Sequence, residues 1–293
     1  MGPSSLARTR VLFLGYLVLV VALFHRTIAE LIALVRGSDL YSHMALVPLI
    51  SLYLLRTERA KAPMADARQG RGTGLALLLV ATLAWGASAC AGDALYPVDR
   101  TALNAFAFVT SILAGYAGFL GIKRVRCFLF PLLFLYFLVP MPVAVEHAVN
   151  VFFQHWSGLA TDALLRLTGT PVYRVGMILQ LPGLSIEVAE ECSGIRSSVV
   201  LFMTSLLAAH MFLKSPWRKA VLVASVVPIA ILRNAARITT ISLMTIHVNP
   251  DMIHGPLHRQ GGTPFFVLSL VPLFIILWLL RRAERKSNAI ASQ

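Results

Sequence analysis

Cys192 is the residue best suited to covalent chemistry, and it lies in the polar stretch Glu190-Glu191-Cys192-Ser193-Gly194-Ile195-Arg196. Apolar residues resume directly afterwards, so the sequence predicts that this cysteine precedes a helix. The N–H groups of a helix N-terminus, and Arg196 one turn further on, favour thiolate over thiol, whereas ionised Glu190 and Glu191 would oppose it. The alternative interpretation is a small structural cysteine in a tight Ser-Gly turn.

Two arginines follow in a later apolar segment. Arg233 and Arg237 are four residues apart in Arg233-Asn234-Ala235-Ala236-Arg237-Ile238, so a helix places them on one face. A guanidinium within a membrane costs at least about 2–3 kcal/mol, so such a pair needs a partner or a task. The alternative role is binding of a lipid phosphate or of a structural carboxylate such as Asp162.

Two histidines lie in the following loop, His254 and His258, separated by Gly255-Pro256-Leu257. The proline breaks the helix that would bring both rings to one face, which disfavours a metal site. An imidazole near a thiol is instead the arrangement of nucleophilic catalysis, in which it takes the thiol proton and protonates the leaving amine. The cysteines at 90, 127 and 192 share no metal-ligand spacing, so we expect neither metal nor disulfide framework.

The elements that must position these residues are membrane helices. Of the 293 residues, 57% are hydrophobic and only 13% charged, with a mean hydropathy of +0.75, which a soluble core of this size cannot accommodate. The net charge of +13 would suggest nucleic acid as a partner of a soluble protein. Here the charges lie between apolar runs, so they indicate topology and no nucleic-acid partner.

We predict an α-helical polytopic membrane protein, with residues 1–293 forming a single integral-membrane domain. A span needs roughly 20 apolar residues. About eight segments qualify, near 11–34, 40–55, 74–92, 101–121, 126–145, 195–213, 219–246 and 264–280. The first is interpreted as a membrane helix rather than a signal peptide, because it lacks a small-residue cleavage site and is followed by further spans.

Basic residues give the orientation, because lysines and arginines near span ends are retained in the cytoplasm. Seventeen of the 26 fall in five stretches that alternating spans place on one side: the N-terminus, 56–73, 123–126, 214–219 and 281–286. Both termini are therefore predicted to be cytoplasmic, in the inner membrane. Segment 146–194 then lies at the outer, periplasmic face, as do Cys192, Arg237 and His258.

The outer segment 146–194 has two parts. Residues 146–167 show helical spacing of apolar side chains and are predicted to be a helix in the membrane interface. Residues 172–181 and 184–189 flank Pro182-Gly183, and the alternation in the second run predicts a small extracytoplasmic β-hairpin before the sixth span.

The sequence resembles the exosortase/archaeosortase family of membrane-embedded transpeptidases, over about residues 39–280. The main matching motifs are Glu191-Cys192-Ser193-Gly194 with Ser197-Ser198, Asn234-x-x-Arg237-Ile238, and His258 with Gly262. The supporting motifs are Leu40-Tyr41-Ser42-His43 running into Val47-Pro48-Leu49-Ile50-Ser51, and Gly169-Thr170-Pro171-Val172.

This resemblance implies a cysteine peptidase or transpeptidase that cleaves the C-terminal sorting segment of exported proteins, of the PEP-CTERM type. Such partners carry a short motif, an apolar helix and a basic tail. It implies Cys192 as nucleophile, Arg237 as the cation that stabilises substrate or oxyanion, and His258 as acid/base, with no cofactor. Arg233 and His254 are alternates at neighbouring positions.

The sequence also offers three candidate substrate-binding residues and two alternative functions. His43, Glu191 and Arg196 are candidate substrate-binding residues. One rival function is a non-catalytic membrane transporter, in which the arginine pair would bind an anionic substrate. The other is an assembly factor for exported polysaccharide. The absence of half-to-half repeats in the sequence disfavours the transporter.

Overall fold

The computed structural model describes residues 3–61, 69–188, 194–250 and 262–291. The chain forms two compact units, Met1–Glu146 and His147–Gln293. Whether the chain acts as a single integral-membrane domain stays a prediction.

The helices before residue 143 are α1 (Pro3–Leu23), α2 (His25–Gly37), α3 (Val47–Thr57), α4 (Arg71–Ala91), α5 (Pro97–Leu120), α6 (Ile122–Cys127) and α7 (Leu129–Phe134). Short 3₁₀ helices cover Asp39–Leu46, Glu58–Lys61, Gly92–Ala94 and Leu135–Leu138. The later elements are α8 (Val143–Leu167), β1 (Tyr173–Val175), β2 (Ile178–Leu181), β3 (Leu184–Glu187), α9 (Ile195–Phe212), α10 (Pro216–Ala224), α11 (Val226–His247) and α12 (Gly262–Ala291).

The protein is a membrane protein, with several helices long and apolar enough to cross a bilayer. Within the described residues there are five: Arg71–Ala94, Pro97–Leu120, Ile195–Phe212, Pro216–His247 and Thr263–Ser287. They coincide with the predicted spans at 74–92, 101–121, 195–213, 219–246 and 264–280. The number rises to at most seven if two bent helix pairs each count as one span, so the count of eight is not reached by this criterion.

The predicted first span, 11–34, is bent. Its two helices, α1 and α2, meet at 65° around Phe24, although backbone hydrogen bonds continue through that residue. Phe24 is buried and stacks against Trp85 and Phe108, which anchors the bend in the core. Helix α2 carries His25, Arg26, Glu30 and Arg36, so it is poorly suited to continue straight through hydrocarbon.

The predicted second and fifth spans are not continuous helices. Residues 40–55 form a 3₁₀ helix and then α3, whose 11 residues span about 16 Å of the roughly 30 Å of hydrocarbon. Residues 126–145 are divided among α6, α7, a 3₁₀ turn and the start of α8, with a 93° bend before α8. Pro140 and Pro142 explain this break, since proline lacks the N–H that a helix interior needs.

The first unit is built on close packing of α4 against α5. Gly74 faces the backbone of Ala114 and Gly118 so closely that a Cβ at position 74 would approach both within 2.9 Å. Small residues at a helix contact allow such an approach in membrane proteins. Phe24, Phe108 and Phe128 belong to the apolar core of this unit.

In the second unit, α9 to α12 share an apolar core that contains the fully buried Leu201, Leu222 and Leu273. Helix α8 confirms the predicted helix over 146–167. Its buried face is mostly polar, and includes Asn150, Gln154, Ser157 and Thr161. Its exposed face carries Phe152, Trp156 and Leu159, which is the reverse of a soluble helix and typical of a helix that faces lipid.

The predicted hairpin around Pro182-Gly183 is confirmed by the antiparallel pairing of β2 and β3. The sheet has a third strand, because the run predicted as one strand over 172–181 is interrupted at Gly176. Gly176 has φ +61° and begins a two-residue turn between the paired residues Val175 and Ile178. Glycine in the first central position is the pattern of a type II′ hairpin turn.

Candidate active site

The predicted site residues are divided between described and undescribed parts of the chain. Cys192, Glu191, His254 and His258 lie outside the described residues. The described candidates are Arg196, Arg233, Arg237 and His43.

Arg233 connects α11 to the start of α9. Its side chain is buried, with 8% of the residue exposed. Its Nη2 donates to the carbonyl oxygen of Gly194 at 3.0 Å and lies 3.3 Å from Ser198 Oγ. The contact therefore joins the arginine-bearing helix to a residue only two positions after Cys192 in the sequence.

The carbonyl oxygen of Gly194 is a convergence point for hydrogen-bond donors. Besides Arg233, it accepts from the backbone N–H of Ser198 at 3.0 Å, from Ser198 Oγ at 2.9 Å and from Ser197 Oγ at 3.1 Å. A carbonyl has two lone pairs, so these four donors must share it. Ser197 and Ser198, quoted above only as motif residues, thus surround the first turn of α9.

The backbone conformation and the close neighbours of position 194 both favour glycine there. Its φ is +71°, in the left-handed region that residues with a Cβ rarely adopt. A Cβ at this position would also lie 2.5 Å from Arg233 Nη2 and 3.4 Å from Asn234 Oδ1. The glycine of the Cys192-Ser193-Gly194 motif therefore permits both the turn into α9 and the approach of α11.

The other flank of the undescribed segment 189–193 is also fixed. Val188 donates its N–H to the carbonyl of Met177 at 2.9 Å, and its own carbonyl accepts from Gln154 Nε2 at 3.0 Å. The Val188 side chain packs in a buried cluster with Leu179 and Ile238. Since Ile238 belongs to α11, both flanks of the cysteine segment contact the helix that carries the arginines.

The electrostatics around Arg233 are unbalanced among the described residues. Its Nη1 is buried and has no hydrogen-bond partner there, and both contacts of Nη2 are with uncharged oxygens. Arg237, half-buried one turn further along α11, adds a second positive charge. Asp162, considered above as a structural partner of the pair, instead accepts from Arg166 Nε at 3.1 and 3.2 Å. A buried cation of this kind favours an anionic or strongly dipolar partner.

The two remaining described candidates are Arg196 and His43. Arg196 is exposed on the first turn of α9. His43 lies in the first unit, where it is half-buried and its Nδ1 is 2.9 Å from the carbonyl oxygen of Leu40. The nearby Tyr41 donates its hydroxyl hydrogen to the Glu146 carboxylate at 3.2 Å.

Two residues near the site were missed by sequence reasoning. Gln154 on α8 donates a hydrogen bond to Val188, and it belongs to a stripe of uncharged polar residues at helical spacing, which is the signal that could have found it. Arg174, on β1, pairs across the sheet with the buried Leu179, so its side chain lies on the buried face. Its Nη1 is buried, with no hydrogen-bond partner among the described residues.

No group of three or more His, Cys, Asp or Glu side chains that could hold a metal ion occurs in the part of the chain that the structure describes. The chemistry available from the described residues is cationic, from arginines, and hydrogen-bonding, from serine hydroxyls and backbone groups.

A comparison with protein families gives one match. The family model described as transmembrane exosortase matches residues 34–275, which include the cysteine segment, the arginine helix and the histidine loop. No curated protein and no solved structure matches the chain.

Proposed function

The chain belongs to the transmembrane exosortase family, and from that premise we propose that it is a cysteine peptidase or transpeptidase. Its substrates are exported proteins that end in a short motif, an apolar helix and a basic tail, of the PEP-CTERM type. Cleavage takes place at the outer face of the inner membrane. Cys192 is the nucleophile, Arg237 the oxyanion-stabilising cation and His258 the acid/base.

One observation carries this proposal: the residue two positions after Cys192 is bound directly by the arginine helix. Consecutive Cα atoms are 3.8 Å apart, so covalent geometry keeps the Cα of Cys192 within about 7.6 Å of that of Gly194. Gly194 accepts a hydrogen bond from Arg233, and Arg237 follows one turn later on the same helix. This contact supports assigning the cysteine and the arginines to one site, because acyl transfer from a peptide needs a nucleophile and a group that stabilises the oxyanion.

The reaction begins with attack of the Cys192 thiolate on the scissile carbonyl carbon, which forms a C–S bond and moves the C=O electron pair onto oxygen. Arg237 stabilises this oxyanion, an effect typically about 3–4 kcal/mol where water is partly excluded. Collapse of the intermediate breaks the C–N bond, and His258 protonates the departing amine. The product is a thioester between Cys192 and the exported protein, and the tail segment is released.

The thioester is then resolved by a second nucleophile. An acceptor amine gives a new amide bond, and water gives a carboxylic acid. In either case His258 takes the proton of the incoming nucleophile, and collapse of the second intermediate regenerates the thiolate of Cys192.

The test is to follow the size of a tailed substrate co-expressed with enzyme variants. We expect Cys192→Ala to abolish processing, while the matched variants Cys90→Ala and Cys127→Ala, which lie in the first unit, retain it. Normal processing by Cys192→Ala would contradict the proposal. A trapped thioester, detected as a covalent adduct that hydroxylamine releases and that Cys192→Ala lacks, would identify the nucleophile directly.

The same assay separates the duplicated candidates. We expect Arg237→Ala and His258→Ala to reduce the rate of thioester formation by about 100-fold or more, the typical effect of losing one oxyanion donor or one acid/base. His254→Ala is the matched control for the histidine and is expected to stay near the wild-type rate. A large loss of rate in His254→Ala, together with a near-wild-type rate in His258→Ala, would instead assign the acid/base role to His254.

A further inference from the structure

We propose that the turn between α9 and α10, together with the last part of α12, forms a binding site for the headgroup of an anionic phospholipid. All of these elements belong to the second unit, and every residue of the site lies within the described ranges. The inference goes beyond the proposed function and does not depend on it, because it involves none of the residues assigned to peptide cleavage.

The exposed face of α12 shows where this helix leaves the hydrocarbon. Val271, Ile275 and Trp278 are each more than half exposed and recur at helical spacing, so they form a lipid-facing stripe. One turn after Trp278 the same stripe continues with the exposed Arg282. Because charges are costly in hydrocarbon and tryptophan is enriched at the membrane interface, this end of α12 lies at the level of the lipid headgroups.

Positive charge is concentrated at this level. Residues 214–219 and 281–286 contain seven lysines and arginines and one carboxylate. The cations are Lys214, Arg218, Lys219, Arg281, Arg282, Arg285 and Lys286, and the carboxylate is Glu284. All of the cations except Arg218 and Lys219 are exposed. Such an excess of positive charge beside a membrane attracts anionic headgroups.

The one carboxylate within these two stretches is directed into the protein. Glu284 is 6% exposed and accepts from the backbone N–H groups of Lys214 and Ser215. It also forms an ion pair with Arg218 at 3.3 Å, so its charge is balanced within the turn. The exposed cations of the two stretches therefore keep a net positive charge at the surface.

A shallow recess lies at this turn. It has a volume of about 410 Å³ and is lined by Lys214, Ser215, Trp217, Arg218, Glu284 and Ser287. The volume falls within the range of roughly 300–1,000 Å³ that is typical of small-molecule sites. An ammonium group and two serine hydroxyls are suitable donors for phosphate oxygens, and the exposed Trp217 supplies an apolar wall for the glycerol part of a headgroup.

Three arginines near the recess stack over aromatic rings, with guanidinium carbons 5.4, 5.5 and 5.7 Å from the ring centres. The pairs are Arg281 with Phe212, Arg282 with Trp278, and Arg218 with Trp217. Stacking uses the face of a guanidinium, whereas phosphate binds to the N–H groups at its edge. These arginines can therefore keep their apolar contacts while they bind a headgroup.

A phospholipid fits this position better than a soluble anion does. On α9, the exposed apolar residues Met211 and Phe212 directly precede Lys214. On α12, the exposed Trp278 likewise precedes Arg281. A phospholipid presents acyl chains and phosphate in the same order, so it contacts both parts of this surface, whereas a soluble anion contacts the cations alone.

The experiment measures lipid binding to the full-length protein in a neutral detergent by native mass spectrometry. The protein is titrated with dioleoylphosphatidylglycerol, which is anionic, and with dioleoylphosphatidylcholine, which has the same acyl chains and no net charge. The site variant is Lys214→Gln with Arg281→Gln, which removes two exposed cations and keeps the buried ion pair. The matched control is Arg8→Gln with Arg10→Gln, which removes two exposed arginines near the start of α1.

We expect the wild-type protein to bind the first phosphatidylglycerol at least about tenfold more tightly than phosphatidylcholine, since each lysine or arginine near an anionic headgroup favours binding by about fivefold. The site variant should raise the dissociation constant for phosphatidylglycerol by about 25-fold and leave that for phosphatidylcholine unchanged. The Arg8 and Arg10 control should stay within about twofold of wild type. Phosphatidylglycerol should also raise the melting temperature of the wild-type protein more than that of the site variant, because a ligand of the folded state stabilises it.

Three results would overturn the inference. The first is equal affinity of the wild-type protein for the two lipids. The second is a similar loss of phosphatidylglycerol binding in both double variants, because binding would then follow overall charge rather than this site. The third is displacement of phosphatidylglycerol by an excess of inorganic phosphate, which would identify a site for a soluble anion. If the double variant does not fold, Lys214→Gln alone decides: a loss of about fivefold is expected, and an unchanged dissociation constant rejects the inference.

Discussion

The two ends of α9 are each held by a charged side chain from a neighbouring helix, but the two contacts differ in charge balance. The helix has 18 residues, so its ends are about 27 Å apart. At the N-terminal end, the cation Arg233 binds the carbonyl of Gly194. At the C-terminal end, the anion Glu284 of α12 binds backbone N–H groups that follow the helix.

The C-terminal contact pairs two opposite charges. Glu284, 6% exposed, accepts from the N–H of Ser215 at 2.7 Å and of Lys214 at 3.0 Å, and it forms an ion pair with Arg218 at 3.3 Å. Both charges of the pair are largely buried and neutralise each other. This arrangement stabilises the turn between α9 and α10.

The N-terminal contact contains a buried cation whose partners among the described residues are neutral oxygens of Gly194 and Ser198. Among the described residues, the charge at the C-terminal end is therefore paired with an opposite charge, and the charge at the N-terminal end is not. Buried charges that serve stability are usually paired, so a buried cation with only neutral partners among the described residues is a candidate for a functional role.

Substitution of Glu284 is expected to have the largest effect on stability, and it tests the contact at the C-terminal end of α9. We expect Glu284→Ala to lower the free energy of unfolding by about 3–5 kcal/mol, because it leaves a buried Arg218 and two N–H groups without their acceptor. Thermal unfolding in detergent measures the loss. Adding Arg218→Met should restore part of it, since the unpaired charge is then removed; a single variant as stable as wild type would show that this end does not hold the fold.

Gly194→Ala is expected to have the next largest effect. The positive φ costs about 1–3 kcal/mol for alanine, and the new Cβ displaces Arg233. The control is Gly169→Ala, which has a similar φ of +76° but no atom within 4 Å of the added Cβ. Both variants should lose a comparable amount of stability, and Gly194→Ala alone should lose processing. Equal processing by the two would mean that the close approach of Arg233 is unimportant.

A smaller change is expected for Ser198→Ala. It removes one hydrogen bond to Gly194 and one acceptor of Arg233, which together contribute about 1 kcal/mol. Ser205→Ala is its counterpart on the same helix, where a buried hydroxyl bonds only locally, to the carbonyl of Phe202 at 2.7 Å. Unfolding curves should be similar for the two, while the rate of thioester formation should fall several-fold for Ser198→Ala only.

The smallest change in stability is expected for Arg233→Met, which contrasts with the loss for Glu284→Ala. Replacing a buried cation that has no carboxylate partner among the described residues by an apolar side chain of similar length should leave the melting temperature unchanged or raise it, while processing is lost. The melting temperature and the processing of a tailed substrate are measured on the same preparation. A large drop in melting temperature would place Arg233 in the same structural class as Glu284.

Hydropathy predicted the straight helices of the fold, since α4, α5, α9, α10–α11 and α12 are long apolar runs. Hydropathy did not predict the positions at which the chain bends or turns. The 65° bend at Phe24 depends on aromatic packing with Trp85 and Phe108, which are distant in sequence. The third strand depends on Gly176 starting a turn within a run that otherwise reads as one strand.

For the site, sequence spacing predicted that Arg233 and Arg237 share a helix face, and α11 confirms that both belong to one helix. Spacing did not indicate what either arginine contacts, because the partners of Arg233 come from another helix. The contact of Gln154 with Val188 was likewise inaccessible, since it joins α8 to the end of the sheet. The roles of Cys192, Arg237 and His258 stay predictions.

Helix α8 has an apolar exposed face and a mostly polar buried face, and this arrangement determines which substitutions each face tolerates. At Phe152, Trp156 and Leu159, exchange among apolar side chains should be tolerated and charges rejected, because lipid is the solvent. At Gln154, even an apolar replacement of similar size should be harmful, since the buried amide donates a hydrogen bond to the carbonyl oxygen of Val188. Deep mutational scanning of α8 should therefore give a tolerance map opposite to that of a water-soluble helix, with its least replaceable residues among the most hydrophilic.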